Sequence, residues 1–257
     1  MIFANIDTAK RKITLISLPR DLYYNSRKIN SIYRLYGIDE LKRTLSFISG
    51  YKIDKFILID MYAFIDVIDL IGGIDVHLEK AVIDPTYKIF DGGEWGTLYY
   101  RAGDHHLSGI QALRLARTRH TSSDFARSER QHLILEAIQS KANSIGFGNA
   151  ESLKAIAEVV LSKTETDINL AEAISYFFRY QKFEINGGYT VSSGNVLISK
   201  YTGDLKREEN GCKESESQNI SSTTCENIAK GEYILLPRGD NWNIIRDYFT
   251  SIIEYGA

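Results

Sequence analysis

F-I-L-I-D-M-Y-A-F-I-D-V-I-D-L-I-G-G-I-D-V-H-L, residues 56–78, changes its hydrophobic period twice. Phe56-Ile57-Leu58-Ile59 is a continuous apolar run of strand length and reads as a short buried strand. Met61 to Ile71 repeats apolar residues at three- and four-residue spacing, which predicts an amphipathic helix that Gly72-Gly73 stops. Ile74-Asp75-Val76-His77-Leu78 alternates, which predicts a strand with one buried face. Strand, helix and strand in close succession place the chain in the α/β (α+β) class, with a central mixed β-sheet flanked by helices.

The flanks extend this pattern. Met1 to Ile6 reads as a strand already in progress, and Lys12 to Leu18 as a second strand halted by Pro19, which cannot donate to a central ladder. Asn30 to Ser49 places Ile32, Leu35, Ile38, Leu41, Leu45 and Ile48 at helical spacing. Downstream, Ser108 is a cap for a helix through Leu115, and Ser123 or Asp124 for one reaching about Ala142. Helices are expected at Glu151–Ser162, at Ile168–Arg179 behind Asp167, and at Trp242–Ile253 with Asp240 near its cap. Strands are expected after Gly187-Gly188 and at Tyr233–Leu236. Residues 1–145 read as the core of one domain, residues 146–257 complete it, and residues 206–230 hold a polar loop with both cysteines.

The composition is that of a globular protein: 257 residues, 44% hydrophobic, 25% charged and three prolines. Lys+Arg of 31 against Asp+Glu of 33 leaves a formal charge of −2, which disfavours bulk electrostatic capture of nucleic acid. No stretch reaches the roughly 18 uncharged apolar residues of a membrane span; Asp60, Asp66 and Asp69 interrupt the most apolar run. The first residues have neither the basic start nor the apolar core of a signal peptide. Cys212 and Cys225 share one polar loop with no partner set for zinc; a disulfide is favoured over two unpaired exposed thiols because exposed free thiols are a liability, and closing so short a loop stabilises by about 3 kcal/mol in the chain-entropy model. That pairing leans toward an extracytoplasmic compartment.

The chemistry concentrates in Arg114–Gln131, which holds Arg114, Arg117, Arg119, Arg127 and Arg130 in a chain with no overall basic excess. Arg117 and Arg119 point to one side of an extended segment, and Asp124, Arg127 and Gln131 share a helical face. Guanidinium forks suit bidentate capture of phosphate oxygens, and a helix start at Asp124 would add N–H donors. The arginines could instead form a solvated face paired with Asp124 and Glu129. Their spread over a strand end, a turn and a helix favours a pyrophosphate or polyphosphate site. Arg20-Asp21 and Lys28 follow a strand end, where ligands bind in open α/β sheets; alone they read as a surface ion pair. His105-His106 read as loop residues whose side chains diverge. Nucleotide loops, zinc-protease motifs and serine or cysteine nucleophile motifs are absent from the sequence.

These residues resemble the LytR-CpsA-Psr family. The resemblance rests on S-L-P-R-D at Ser17–Asp21, K-I-N at Lys28–Asn30, I-D-L-I-G-G-I-D-V at Ile68–Val76, the L-S-G-x-Q-A-L segment ending at Leu113, and R-T-R-H-x-x-x-D-F-x-R-x-x-R-Q at Arg117–Gln131. It is strong over about Met1 to Ala142 and weaker over the C-terminal Y-I-L-L-P-R-G-D-N-W. It implies a membrane-anchored phosphotransferase on the extracytoplasmic face of the bacterial membrane. Such proteins move a glycopolymer, teichoic acid among them, from an undecaprenyl-pyrophosphate carrier to peptidoglycan through a phosphodiester.

The resemblance implies an apolar tunnel for the polyprenyl chain, with Phe56, Ile57, Ile65, Ile68 and Leu70 as wall or plain core. It casts Arg20, Lys28, Arg117, Arg119, Arg127, Arg130 and Gln131 as pyrophosphate ligands. Arg20, Arg117, Arg119, Asp124 and Arg127 would be catalytic, and Asp124 and Asp21 would orient arginines or assist deprotonation. The family also carries Mg²⁺ on aspartates of a strand and R-x-D-T-type motif that would lie upstream of Met1, so no metal ligand is expected within this chain. The start reads as truncated, with the membrane anchor lying further upstream. A polyprenyl-pyrophosphate hydrolase, a non-catalytic pyrophosphate-lipid binder and, least favoured, a nucleic-acid-binding transcriptional attenuator are the alternatives.

Overall fold

A computed structural model describes residues 1–118, 124–144, 150–210, 212 and 228–256. It resolves into two compact units, each built from separate stretches of chain. One comprises Met1, Leu18–Ile53 and Val191–Ala257; the other comprises Ile2–Ser17 and Asp54–Thr190.

The second unit holds the mixed sheet. Strands β1 (Ile2–Asp7) and β2 (Lys12–Ser17) form an antiparallel hairpin. The strand β11 (Glu184–Thr190) pairs with β2 in parallel on its other side. The register of β2 and β11 breaks between Asn186 and Tyr189, where Gly187-Gly188 forms a bulge with Gly188 at φ 88°. Thus strand structure spans the glycine pair instead of starting after it. Leu15 and Ile16 are buried while Ile2 and Ile6 on the edge strand are exposed.

The 56–78 stretch folds as strand, helix and strand, with one correction. Strand β5 (Ile57–Ile59) forms, yet Ile57 is 65% exposed and Leu58 and Ile59 are also open. It pairs only with β10 (Thr164–Thr166) among the described residues, so the apolar run is not the buried strand its composition suggests. Helix α2 (Met61–Leu70) begins at Asp60, whose Oδ1 accepts the Ala63 N–H at 2.7 Å. Strand β6 (Ile74–Leu78) alternates buried and exposed residues as its pattern predicts and pairs antiparallel with β9 (Gly103–Leu107). Between them stands a long hairpin, β7 (Val82–Asp91) and β8 (Glu94–Tyr100).

Among the described residues, α3 (Gly109–Arg117), α4 (Asp124–Ser144), α5 (Ala150–Ser162) and α6 (Leu170–Tyr180) complete this unit. Ser108 and Gln111 form a capping box for α3. Helix α6 is capped by Asn169, two residues beyond the expected Asp167, because the Asn169 Oδ1 accepts the Glu172 N–H and the Glu172 carboxylate accepts the Asn169 N–H. The core gathers Ile68, Ile74, Val76, Leu107, Leu115 and Ile134.

In the first unit, β3 (Tyr23–Tyr24) and β4 (Arg27–Lys28) lead into α1 (Ile29–Ser49). Gly37 breaks this helix at φ 81°, ψ −177°, which resets its phase. Ile32 and Ile48 are buried on either side of the break, while Leu35, on the same predicted stripe, is 53% exposed. Strand β12 (Leu197–Tyr201), helix α7 (Thr202–Glu209), strand β13 (Tyr233–Pro237) and helix α8 (Asn243–Thr250) follow. The start of the expected polar loop, residues 206–209, is thus helical.

Candidate functional site

The arginine-rich segment is built on the junction of α3 and α4. Helix α3 ends at Arg117, and Thr118 turns extended at φ −59°, ψ 141°. Thr118 is buried and donates its hydroxyl to Asp84 Oδ2 at 2.6 Å. Asp84, itself 3% exposed, accepts at Oδ1 from the Thr86 and Tyr87 N–H groups and the Thr86 hydroxyl. Those bonds compensate the desolvation of a buried carboxylate. With Thr118 turned inward, Arg117 faces solvent.

Helix α4 holds this junction from the other side. Arg130, 9% exposed, donates Nε to the Leu115 carbonyl at 3.1 Å and Nη2 to the Thr118 carbonyl at 2.6 Å. Gln131 donates Nε2 to the Ala116 carbonyl at 3.4 Å. The last carbonyls of α3, which lack partners within the helix, are satisfied by side chains of α4. Burial, followed by the charge of Arg127, pushes the Arg130 guanidinium below its ordinary value. Arg127 is half-buried on the same helix. Arg114 is committed elsewhere, to a two-pronged pair with Asp91 at 2.5 and 2.8 Å. Arg119 lies outside the described residues; Asp124 opens α4, but its side chain lies outside them too.

Arg20, Asp21 and Lys28 belong to the first unit. Asp21 Oδ1 meets Lys28 Nζ at 3.2 Å and Oδ2 meets Arg20 Nε at 3.6 Å. Lys28 also reaches Glu232 at 3.3 Å. Burial lowers the Lys28 ammonium, but Asp21 and Glu232 outweigh it and leave it above its ordinary value. The Arg20 guanidinium is largely exposed and open to an incoming anion.

Three residues escaped the sequence reading: Asp84, Thr118 and His132. His132 is 2% exposed, accepts the Gly188 N–H at Nδ1 and pairs through Nε2 with Ser17 Oγ at 3.2 Å. It locks α4 into the β11 bulge; a Cβ at Gly187 would come within 2.9 Å of the His132 Cβ. Burial lowers the imidazole pKa. The Asp84-Pro85-Thr86 turn signal was available in the sequence; nothing in the sequence marks His132.

His105 and His106 are strand residues of β9, a correction to the loop reading, because they complete the ladder with β6. They do diverge: His106 Nδ1 pairs with Asp75 across the strands at 2.6 Å, while His105 Nε2 approaches the Arg101 carbonyl. Cys212 is disulfide-bonded; Cys225 lies outside the described residues. Among the described residues no group of three or more His, Cys, Asp or Glu is arranged to hold a metal, so the residues present do not fit a Mg²⁺ site.

The second unit also contains an apolar cavity of about 320 Å³, lined by Ile57, Ile71, Leu153, Val160, Tyr176 and Phe177 among others. Ala142 of α4 contributes to its wall. Of the predicted wall residues, Ile57 lines it, Ile68 is packed in the core and Leu70 is exposed.

A sequence model of the LytR_cpsA_psr family matches residues 1–210. The chain belongs to the LytR-CpsA-Psr family. Among LytR-CpsA-Psr relatives, it is 30% identical over 198 residues to the polyisoprenyl-teichoic acid–peptidoglycan teichoic acid transferase TagV of Bacillus subtilis, covering 71% of this chain and 48% of that protein. The regulatory protein MsrR of Staphylococcus aureus is 27% identical, over 80% of this chain and 61% of its own. The chain thus spans about half the length of its TagV relative. The crystal structure of B. subtilis TagV superposes with a TM-score of 0.66 at 24% identity, over 97% of this chain and 87% of that one. TagT bound to LI-WTA superposes at 0.63 and 17% identity, over 97% and 82%. These likenesses give the chain the LytR-CpsA-Psr fold.

Proposed function

We infer that this protein transfers a glycopolymer from an undecaprenyl-pyrophosphate carrier to peptidoglycan, forming a phosphodiester. It would work at the extracytoplasmic face of the bacterial membrane. The observation that carries the reading is the α3–α4 junction, where buried Thr118, Asp84 and Arg130 brace the segment carrying exposed Arg117. The transferase names of TagV and TagU support it.

The acceptor hydroxyl oxygen attacks the phosphorus next to the sugar. The phosphoanhydride P–O bond to the polyprenyl phosphate breaks, and the hydroxyl proton is lost. Charge develops on the equatorial and leaving oxygens, so fixed cations lower the barrier. Arg117, Arg119 and Arg127 would meet those oxygens. Asp124 would orient guanidinium groups or receive the proton. Arg130 and Gln131 position the segment through the carbonyls of α3.

The apolar cavity suits the polyprenyl chain. Arg127 and Ala142 lie fifteen residues apart on α4, about 22 Å along its axis, so a lipid with its pyrophosphate at one end could lay its tail in the cavity at the other.

Radiolabelled glycopolymer on a polyprenyl carrier, incubated with this chain and purified peptidoglycan, tests the reaction. Label made insoluble with peptidoglycan and released by phosphodiester cleavage is expected. Soluble glycopolymer phosphate alone would identify a hydrolase, and absence of both products would leave a binder.

A further inference from the structure

The β7–β8 hairpin carries an outward face that the proposed reaction does not use. Tight turning at Gly92 (φ 61°) and Gly93 (φ 88°) sets the register Lys88↔Thr97 and Phe90↔Trp95, and beyond a register shift between Asp84 and Lys88 the ladder resumes with Ile83↔Tyr99. Alternation sends these six side chains to one side, all exposed, while Leu98, Asp84 and Tyr100 face inward and are buried. Trp95 is 75% exposed and Tyr99 63%, and the Phe90 and Trp95 rings lie 5.2 Å apart. Exposed aromatic rings grouped in this way mark an interaction surface.

We propose that this face binds the sugar backbone of a peptidoglycan strand, the acceptor in the function inferred above, on which the proposal rests. Three features select that occupant. The rings flank Thr97 and Lys88, so a pyranose could stack its C–H face on an indole or phenol and hydrogen-bond its hydroxyls between them. The face carries a single cation, Lys88, because Asp91 and Glu94 alternate to the other side, where Asp91 pairs with Arg114. One lysine among aromatic rings is not the cluster of cations that a phosphate polymer or an anionic bilayer selects, and it suits a sugar backbone better. The hairpin is also fixed to the arginine segment through Asp84–Thr118 and Asp91–Arg114. A strand lying on it would run along the same framework as the proposed reacting groups.

The test is co-sedimentation of the full chain with purified peptidoglycan stripped of attached polymers, comparing the parent with Trp95→Ala/Tyr99→Ala. Both side chains are exposed, so thermal melting should be unchanged; equal melting makes the comparison valid, and Trp95→Phe/Tyr99→Phe, which retains the rings, should bind like the parent. The expected result is binding by the parent that weakens about tenfold in the alanine variant. Polyprenyl-pyrophosphate binding, measured on the same samples, should be kept by both. Failure of lipid binding by the parent would count against the proposed function while leaving a glycan-binding face intact. Equal sedimentation of parent and alanine variant, or no sedimentation of the parent, would overturn the proposal.

Discussion

Arg130 illustrates how a residue's burial redirects its role. Its place in the R-x-x-R-Q pattern marks it as a phosphate ligand, yet it lies 9% exposed with two nitrogens donated to the carbonyls of Leu115 and Thr118. Sequence spacing could place Arg127 and Arg130 on one helix; it could not tell which of them turns into the α3 terminus. Removing the fork leaves buried carbonyls without partners, so Arg130→Met should cost about 2–3 kcal/mol in denaturant unfolding. Arg117→Ala, on an exposed side chain, should leave stability within about 0.5 kcal/mol. His132 adds a pH signature. Burial holds its folded pKa below the ordinary 6.5, so below that pH the unfolded chain binds the proton more readily. This contribution to stability is complete above about pH 6.5 and is lost as pH falls from there through the folded value. His132→Gln should flatten that part of the stability–pH curve; an unchanged slope would assign the loss to other groups.

At the scale of elements, legibility followed periodicity. The alternation of Ile74–Leu78 and the apolar spacing of Met61–Leu70 gave elements that the structure contains nearly residue for residue. The β7–β8 hairpin was missed although Asp91-Gly92-Gly93-Glu94 is a strong turn signal, because its outward residues are aromatic and blur the alternation. The burial of Ile57–Leu58–Ile59 was misjudged because a continuous apolar run reports hydrophobicity and not the number of neighbouring strands. Gly109, within the L-S-G motif, has a packing reason that sequence could not disclose: a Cβ there would lie 2.7 Å from the Ile65 Cα. Helices α2 and α3 approach too closely for a side chain, so Gly109→Ala should destabilise by about 1–3 kcal/mol in equilibrium unfolding. Filling the apolar cavity through Ala157→Trp should weaken binding of a long polyprenyl pyrophosphate more than that of inorganic pyrophosphate. Equal effects on the two ligands would remove the lipid chain from the cavity.

For the whole molecule, the family was readable in short motifs, whereas the division into units was not. One unit takes Met1, Leu18–Ile53 and Val191–Ala257 and the other Ile2–Ser17 and Asp54–Thr190, an arrangement that contiguous sequence segments cannot announce. The predicted site residues are divided as well: Arg20 and Lys28 sit in one unit, Arg117, Arg127, Arg130 and Gln131 in the other. What the fold itself explains is the bracing of the arginine segment by residues that do not face solvent. The most direct measurement is a titration of short-chain polyprenyl pyrophosphate into the parent chain and into Arg117→Ala, at two salt concentrations. The account predicts salt-sensitive binding by the parent and a loss of roughly tenfold or more in the variant, as expected for a charge-assisted hydrogen bond to phosphate. Binding of equal strength by both proteins would contradict it.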